Sequence, residues 1–153
     1  MVTSMFLGHL AGAIYCAWKA EIGHSKHRMI QLYLWVNVVS GASMLVAAVS
    51  SNLAVIGAML AVWCFACELV NSFINMVPLL FFRGDLRNKV FALQTSSWAL
   101  YSVLLPGIFL VVRSWRWNVM VVVAVPSLVL AGYLYLRFDE FVDYCGDSLD
   151  PEK

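Results

Sequence analysis

Apolar runs dominate the chain, and they come in lengths that few water-soluble folds can absorb. Five stand out, at about residues 2–18, 29–49, 52–82, 90–112 and 117–136, with short polar stretches between them. A helix needs about 20 apolar residues to cross the hydrocarbon core of a bilayer. The middle three runs meet that length easily, the fifth meets it, and the first is marginal. Composition points the same way. Of the 153 residues 62% are hydrophobic and 12% charged, whereas a soluble domain carries about a quarter charged residues. The expected fold is all-α: a polytopic membrane helical bundle of about five transmembrane helices over residues 1–138, then an acidic tail over 139–153.

Connections as short as "VSSN" and "RSWR" make neighbouring helices antiparallel. The run at 52–82 is long enough to tilt or to project beyond the bilayer. Basic residues then orient the bundle. Lys19, Lys26 and Arg28 follow the first run, Arg83, Arg87 and Lys89 follow the third, and Arg137 and Lys153 follow the fifth. The opposite side has Arg113 and Arg116. The positive-inside rule makes the richer side cytoplasmic, which leaves Met1 outside. No basic n-region or small-residue cleavage site marks a signal peptide, and no lipidation motif is present. An outside start on such a chain points to a helix preceding residue 1. The tail "RFDEFVDYCGDSLDPEK" holds six of the nine acids and reads as a solvated cytoplasmic end, helical no further than Tyr144.

The chemistry concentrates in "AVWCFACELVNSFINMVPLLFF", residues 61–82. Glu68 is the one acid inside a predicted span. A charge at the bilayer centre costs at least about 2.5 kcal/mol on insertion scales, so such a group faces a bundle interior or a wet cavity. Helical spacing sets Glu68, Asn71, Ser72 and Asn75 on one face, and Leu69, Val70, Phe73, Ile74 and Val77 on the other. This stripe suits a solute or cation site or a proton acceptor. It suits equally a set of interhelical hydrogen bonds made by a neutral carboxyl. Both readings stay open. In "LQTSSWALYS", Gln94, Ser97 and Tyr101 share a face that can complete a cavity or simply pack.

Other features favour structural roles. His9 lies between Gly8 and Gly12, a small-xxx-small spacing that lets helices approach closely, with His9 as a secondary cavity candidate. Cys64 and Cys67 form a CxxC without further ligands, so they read as small buried thiols. His24 and His27 read as solvated loop residues, and Trp115 and Trp117 as interfacial aromatics. Pro106 and Pro126 mark kinks. No phosphate-binding loop, nucleophile elbow or zinc signature occurs, which argues against an enzyme and against a bound cofactor or metal. The net charge of +1 points to no nucleic-acid partner.

The order of segments resembles the first half of a major facilitator superfamily transporter, more narrowly the organic cation/anion transporters. "RNKVFALQTSSWALYSVLLPGIFLVVRSWRWNVMVVVAVPSL", residues 87–128, looks like the end of the loop between helices four and five, helix five, and the turn into helix six. Arg87 matches a basic loop position and Trp115–Arg116 the turn. "FLGHLAGAIYCAWKAEIGHSKHRMI" looks like helix two and the cytoplasmic loop after it, keeping Gly23 and the basic character of Lys26 and Arg28. Ala20 stands where the signature has an Asp, and Glu21 where it has a basic residue. The basic residue of helix four is missing near Trp63 and Cys64, and "FDEFVDY" replaces the signature after helix six.

The resemblance implies that the five segments are helices two to six, with helix one and the second half outside these residues. It implies movement of small organic ions across a membrane, the plasma membrane by family habit. Glu68, Asn71, Asn75, Gln94 and Tyr101 would contact the solute, and Gly23, Lys26, Arg28 and Arg87 would belong to the gating loops. Alternating access in this fold needs two halves, so the chain is expected not to transport alone. The alternatives are an accessory or structural subunit that pairs with another membrane protein, and an incomplete or divergent product of a transporter gene.

Overall fold

Four helices in the computed structural model are long and apolar enough to cross a membrane, and a fifth apolar helix, Val2–Trp18, is shorter. The structure describes residues 2–20, 26–81 and 84–140, and every regular element among them is helical. In chain order these are α1 (Val2–Ala20), α2 (Lys26–Val49), α3 (Leu53–Phe81), α4 (Gly84–Val111), α5 (Trp115–Val119), a π-helical turn (Met120–Ala124) and α6 (Val125–Leu136). Large apolar side chains such as Val103, Leu110 and Leu136 are exposed on the outside. That surface matches lipid rather than water, and the molecule reads as a multi-pass membrane protein.

The helices pack in the order α1–α3–α2–α6, while α4 touches α3 and α5 lightly and buries no residue of its own. Small side chains fill the centre: Ala47, Ala48, Ala66, Ala124 and Ala131 are buried. Helices in lipid associate through such close contacts, because burying apolar surface gains little where the surroundings are apolar already. α1 and α3 run parallel, with Ser4 beside Gly57, Gly8 against Ala61 and Gly12 against Phe65 and Glu68. Tyr15 meets Phe65 edge-on at 5.8 Å, and Tyr33 of α2 stacks on Phe73 of α3 at 4.6 Å.

Local chemistry sets the helix ends. Asn52 caps α3: its Oδ1 accepts from the Ala54 N–H at 2.9 Å, and its own N–H donates to Ser50 Oγ at 3.1 Å. Gly84 opens α4 at φ +56°, a conformation costly for any side-chain-bearing residue. Asp85 follows in the first turn, where the helix dipole favours an acid. In α5, the Arg116 side chain donates to Ser50 O at 3.1 Å and ties two short connections together. Past α6, Arg137 pairs with Glu140, and this hydrogen-bonded carboxylate lifts the guanidinium further above its already high range.

One expectation needs correction. The helices outrun the apolar runs: α2 starts at Lys26 and α4 at Gly84 rather than at 90, so Lys26, Arg28 and Arg87 occupy first turns instead of loops. Hydropathy marks where lipid begins, whereas Lys and Arg continue a helix at little cost. At Pro126 the chain forms a π turn just ahead of the proline. The Val125 N–H reaches five residues back to Met120 O, which widens the turn ahead of a ring that would clash in regular α geometry. Pro106 lies inside α4, which continues through it. Gly23, His24 and the tail beyond residue 140 lie outside the described residues.

Candidate functional site

The close approach of α1 and α3 builds the centre of the site. A Cβ on Gly8 would drive into the Ala61 carbonyl oxygen, and one on Gly12 would sit 2.7 Å from Glu68 Cβ. With hydrogen at both positions, α1 comes near enough for His9 Nδ1 to lie 2.7 Å from Glu68 Oε1. The two groups form one hydrogen bond, either the imidazole N–H donating to a carboxylate or the carboxylic O–H donating to the ring nitrogen. Cys16 Sγ donates weakly to the Glu68 carbonyl oxygen at 3.9 Å. The side chains of His9 and Glu68 are 45% and 29% exposed. Both line a cavity.

That cavity has a volume of about 790 Å³ and takes walls from every part of the bundle. His9 comes from α1, Asn37, Ser40 and Met44 from α2, and Trp63, Cys67, Glu68, Val70 and Asn71 from α3. α4 adds Ser97, Trp98, Tyr101 and Phe109, and the α5–π–α6 segment adds Asn118, Val122, Pro126 and Ser127. Apolar and aromatic side chains predominate, with a few polar groups set among them, as in small-molecule sites generally. Among the described lining residues, His9 and Glu68 are the only histidine and carboxylate, and no Lys or Arg joins them.

The residues singled out from sequence divide into three groups. Glu68, Asn71 and Tyr101 line the cavity together. Asn75 and Gln94 do not line it; Gln94 Nε2 donates to Asn75 Oδ1 at 3.2 Å, so the two amides join α3 to α4. Of the residues that the resemblance assigned to gating loops, Arg28 and Arg87 are exposed at the starts of α2 and α4, Lys26 begins α2, and Gly23 lies outside the described residues. Val70, placed by helical spacing opposite Glu68, also lines the cavity, because the opening is wider than the polar stripe. Cys16, Cys64 and Cys67 are free thiols, and among the described residues no three His, Cys, Asp or Glu side chains converge as metal ligands do.

Sequence reasoning missed Asn37, Ser40 and Asn118. Asn37, Ser40 and Ser43 are buried polar residues recurring every three positions in an apolar span, and that recurrence was the available signal. Asn118 is 2% exposed. Its Nδ2 donates to Val112 O at 2.7 Å, closing the turn between α4 and α5, while its Oδ1 has no hydrogen-bond partner. Flipping the amide would set two acceptor oxygens 2.7 Å apart, so this orientation is the only one the site permits.

Comparison with protein-family models, curated proteins and solved structures yields no match.

Proposed function

We propose that the cavity binds a small organic cation, and that the protein works as one body of a transporter-like membrane assembly. The observation that carries this reading is Glu68, a carboxyl on the wall of a largely apolar cavity of about 790 Å³. Sites for small organic ligands occupy roughly 300–1,000 Å³. Trp63, Trp98 and Phe109 offer aromatic faces and edges to alkyl groups and to positive charge. Asn71, Tyr101 and Ser127 add hydrogen-bonding capacity around it. No enzymatic step is part of the proposal.

The resemblance to organic ion transporters supports the same ligand class and suggests the plasma membrane. Moving a solute across a bilayer requires a site exposed alternately to each side, which takes a second helical body rocking against the first. A second reading, an accessory subunit, draws support from α4, which buries none of its residues and so leaves the surface it does not turn to the cavity or to α3 open to another protein.

The test is equilibrium binding of radiolabelled tetraethylammonium to the full chain in nanodiscs at pH 8. Saturable binding is expected, with Glu68→Gln weakening it by about tenfold or more, equivalent to about 1.4 kcal/mol or more. Equal binding by the variant and the parent would remove Glu68 from the site and the cation from the proposal.

A further inference from the structure

We infer that the cavity takes a cationic amphiphile with a single alkyl tail, its charged head at Glu68 and its tail along α4 toward the α4–α5 turn. The inference rests on the cation-binding reading above and names the ligand class more closely. Three contacts fix which residues stand level across the bundle. α3 and α4 are antiparallel, and the Gln94–Asn75 hydrogen bond sets their register. Counting back along α3 and forward along α4 from that pair brings Tyr101 level with Glu68, Leu105 with Cys64 and Phe109 with Leu60. The Tyr33–Phe73 stack likewise brings Met44 of α2 near the level of Trp63. Gly41 packs on Leu128 and the Ala124 carbonyl, which brings Val122 and Val123 to the level of Met44.

The two ends so defined differ in chemistry. Around Glu68 stand Asn71, Ser97 and Tyr101, with His9 hydrogen-bonded to the carboxyl. Toward the start of α3 the walls are Leu60, Met44, Leu105, Phe109, Val122 and Val123. The amide at that end, Asn118, is 2% exposed and shows the cavity almost no polar surface. The stretch of α4 from Tyr101 to Phe109 rises about 12 Å. A compact cation held at Glu68 leaves that apolar length unused. An alkyl chain fills it, and each methylene taken from water into it raises affinity about two- to fourfold. The carboxyl sets the direction, because a positive head is stabilised beside Glu68 and costly anywhere along the apolar walls.

Displacement of radiolabelled tetraethylammonium from the full chain in nanodiscs tests this. The competitors are butyl-, hexyl-, octyl-, decyl- and dodecyltrimethylammonium, each below its micelle concentration. Protein-free nanodiscs give the share of each that enters lipid, so affinities refer to free ligand in water. Affinity is expected to climb about two- to fourfold per methylene from butyl to octyl, and to level off by dodecyl, where the tail outruns the groove. Leu105→Trp sets a large ring across the groove one turn from Tyr101, on a helix that buries none of its residues. The octyl compound should then lose about tenfold or more in affinity relative to tetraethylammonium, because several methylenes leave the cavity. Saturable tetraethylammonium binding with equal affinity for every tail would overturn the inference while the cation site stands. A rise that never levels off, alike in parent and variant, would report the lipid and overturn it too. Absence of saturable tetraethylammonium binding would overturn both readings. The tail series uses the parent chain alone, so it decides the matter even if the Leu105→Trp protein misfolds.

Discussion

Two glycines decide how close α1 comes to α3, and through that distance whether His9 meets Glu68. At Gly8 an added methyl meets a backbone carbonyl oxygen, which has no rotamer to escape into. At Gly57, on the same interface, an added Cβ would lie an ordinary 3.4 Å from Ser4 Oγ. Gly8→Ala is therefore expected to destabilise the bundle by about 1–3 kcal/mol, and Gly57→Ala by about 0.5 kcal/mol or less. Denaturant titration in mixed micelles compares the two, and equal stability of both variants would mean that the Gly8 contact does not limit the approach. The small-xxx-small spacing around His9 was visible in the sequence, because glycines four apart share a helix face. That the face meets α3 rather than the adjacent α2 was not visible, since nothing local names a partner.

At the scale of elements, the bundle is held unevenly. α1, α2, α3 and α6 interlock through small buried side chains, whereas α4 is joined to α3 by the Gln94–Asn75 hydrogen bond and by light contacts. Interhelical hydrogen bonds in membranes contribute only about 0.6 kcal/mol on average. The start of α3 is better anchored. Asn52→Ala should remove the cap bond to the Ala54 N–H and lower stability by about 1 kcal/mol, read from the same denaturant titration. An unchanged midpoint would show that water serves that N–H as well as Asn52 does. Helix existence was legible here because apolar runs are long and local; helix starts were not, because Gly84 and the basic residues continue the helix past the apolar boundary.

For the whole molecule, the proposed reading makes the cavity with its one carboxyl a binding site, and transport asks for more. Proteoliposomes holding the chain alone are expected to take up tetraethylammonium no faster than protein-free vesicles, because one helical body has no partner to rock against. Uptake above that background, abolished in Glu68→Gln, would show that copies of the chain itself supply the second body.

By itself, the sequence determined that the chain is helical and suited to a membrane. It also determined that Glu68 places a costly charge in an apolar segment, and that Asn71 and Tyr101 lie at spacings compatible with a cavity. Hydropathy and helical period are local properties, so they need no partner to be read. Tertiary structure decided the rest. It paired Glu68 with His9 across 59 positions of sequence, turned Asn75 and Gln94 toward one another, and brought Asn37, Ser40 and Asn118 to the cavity wall. Which helices touch, and at what rotation, follows from where small side chains allow backbones to approach, and that is a property of two segments together.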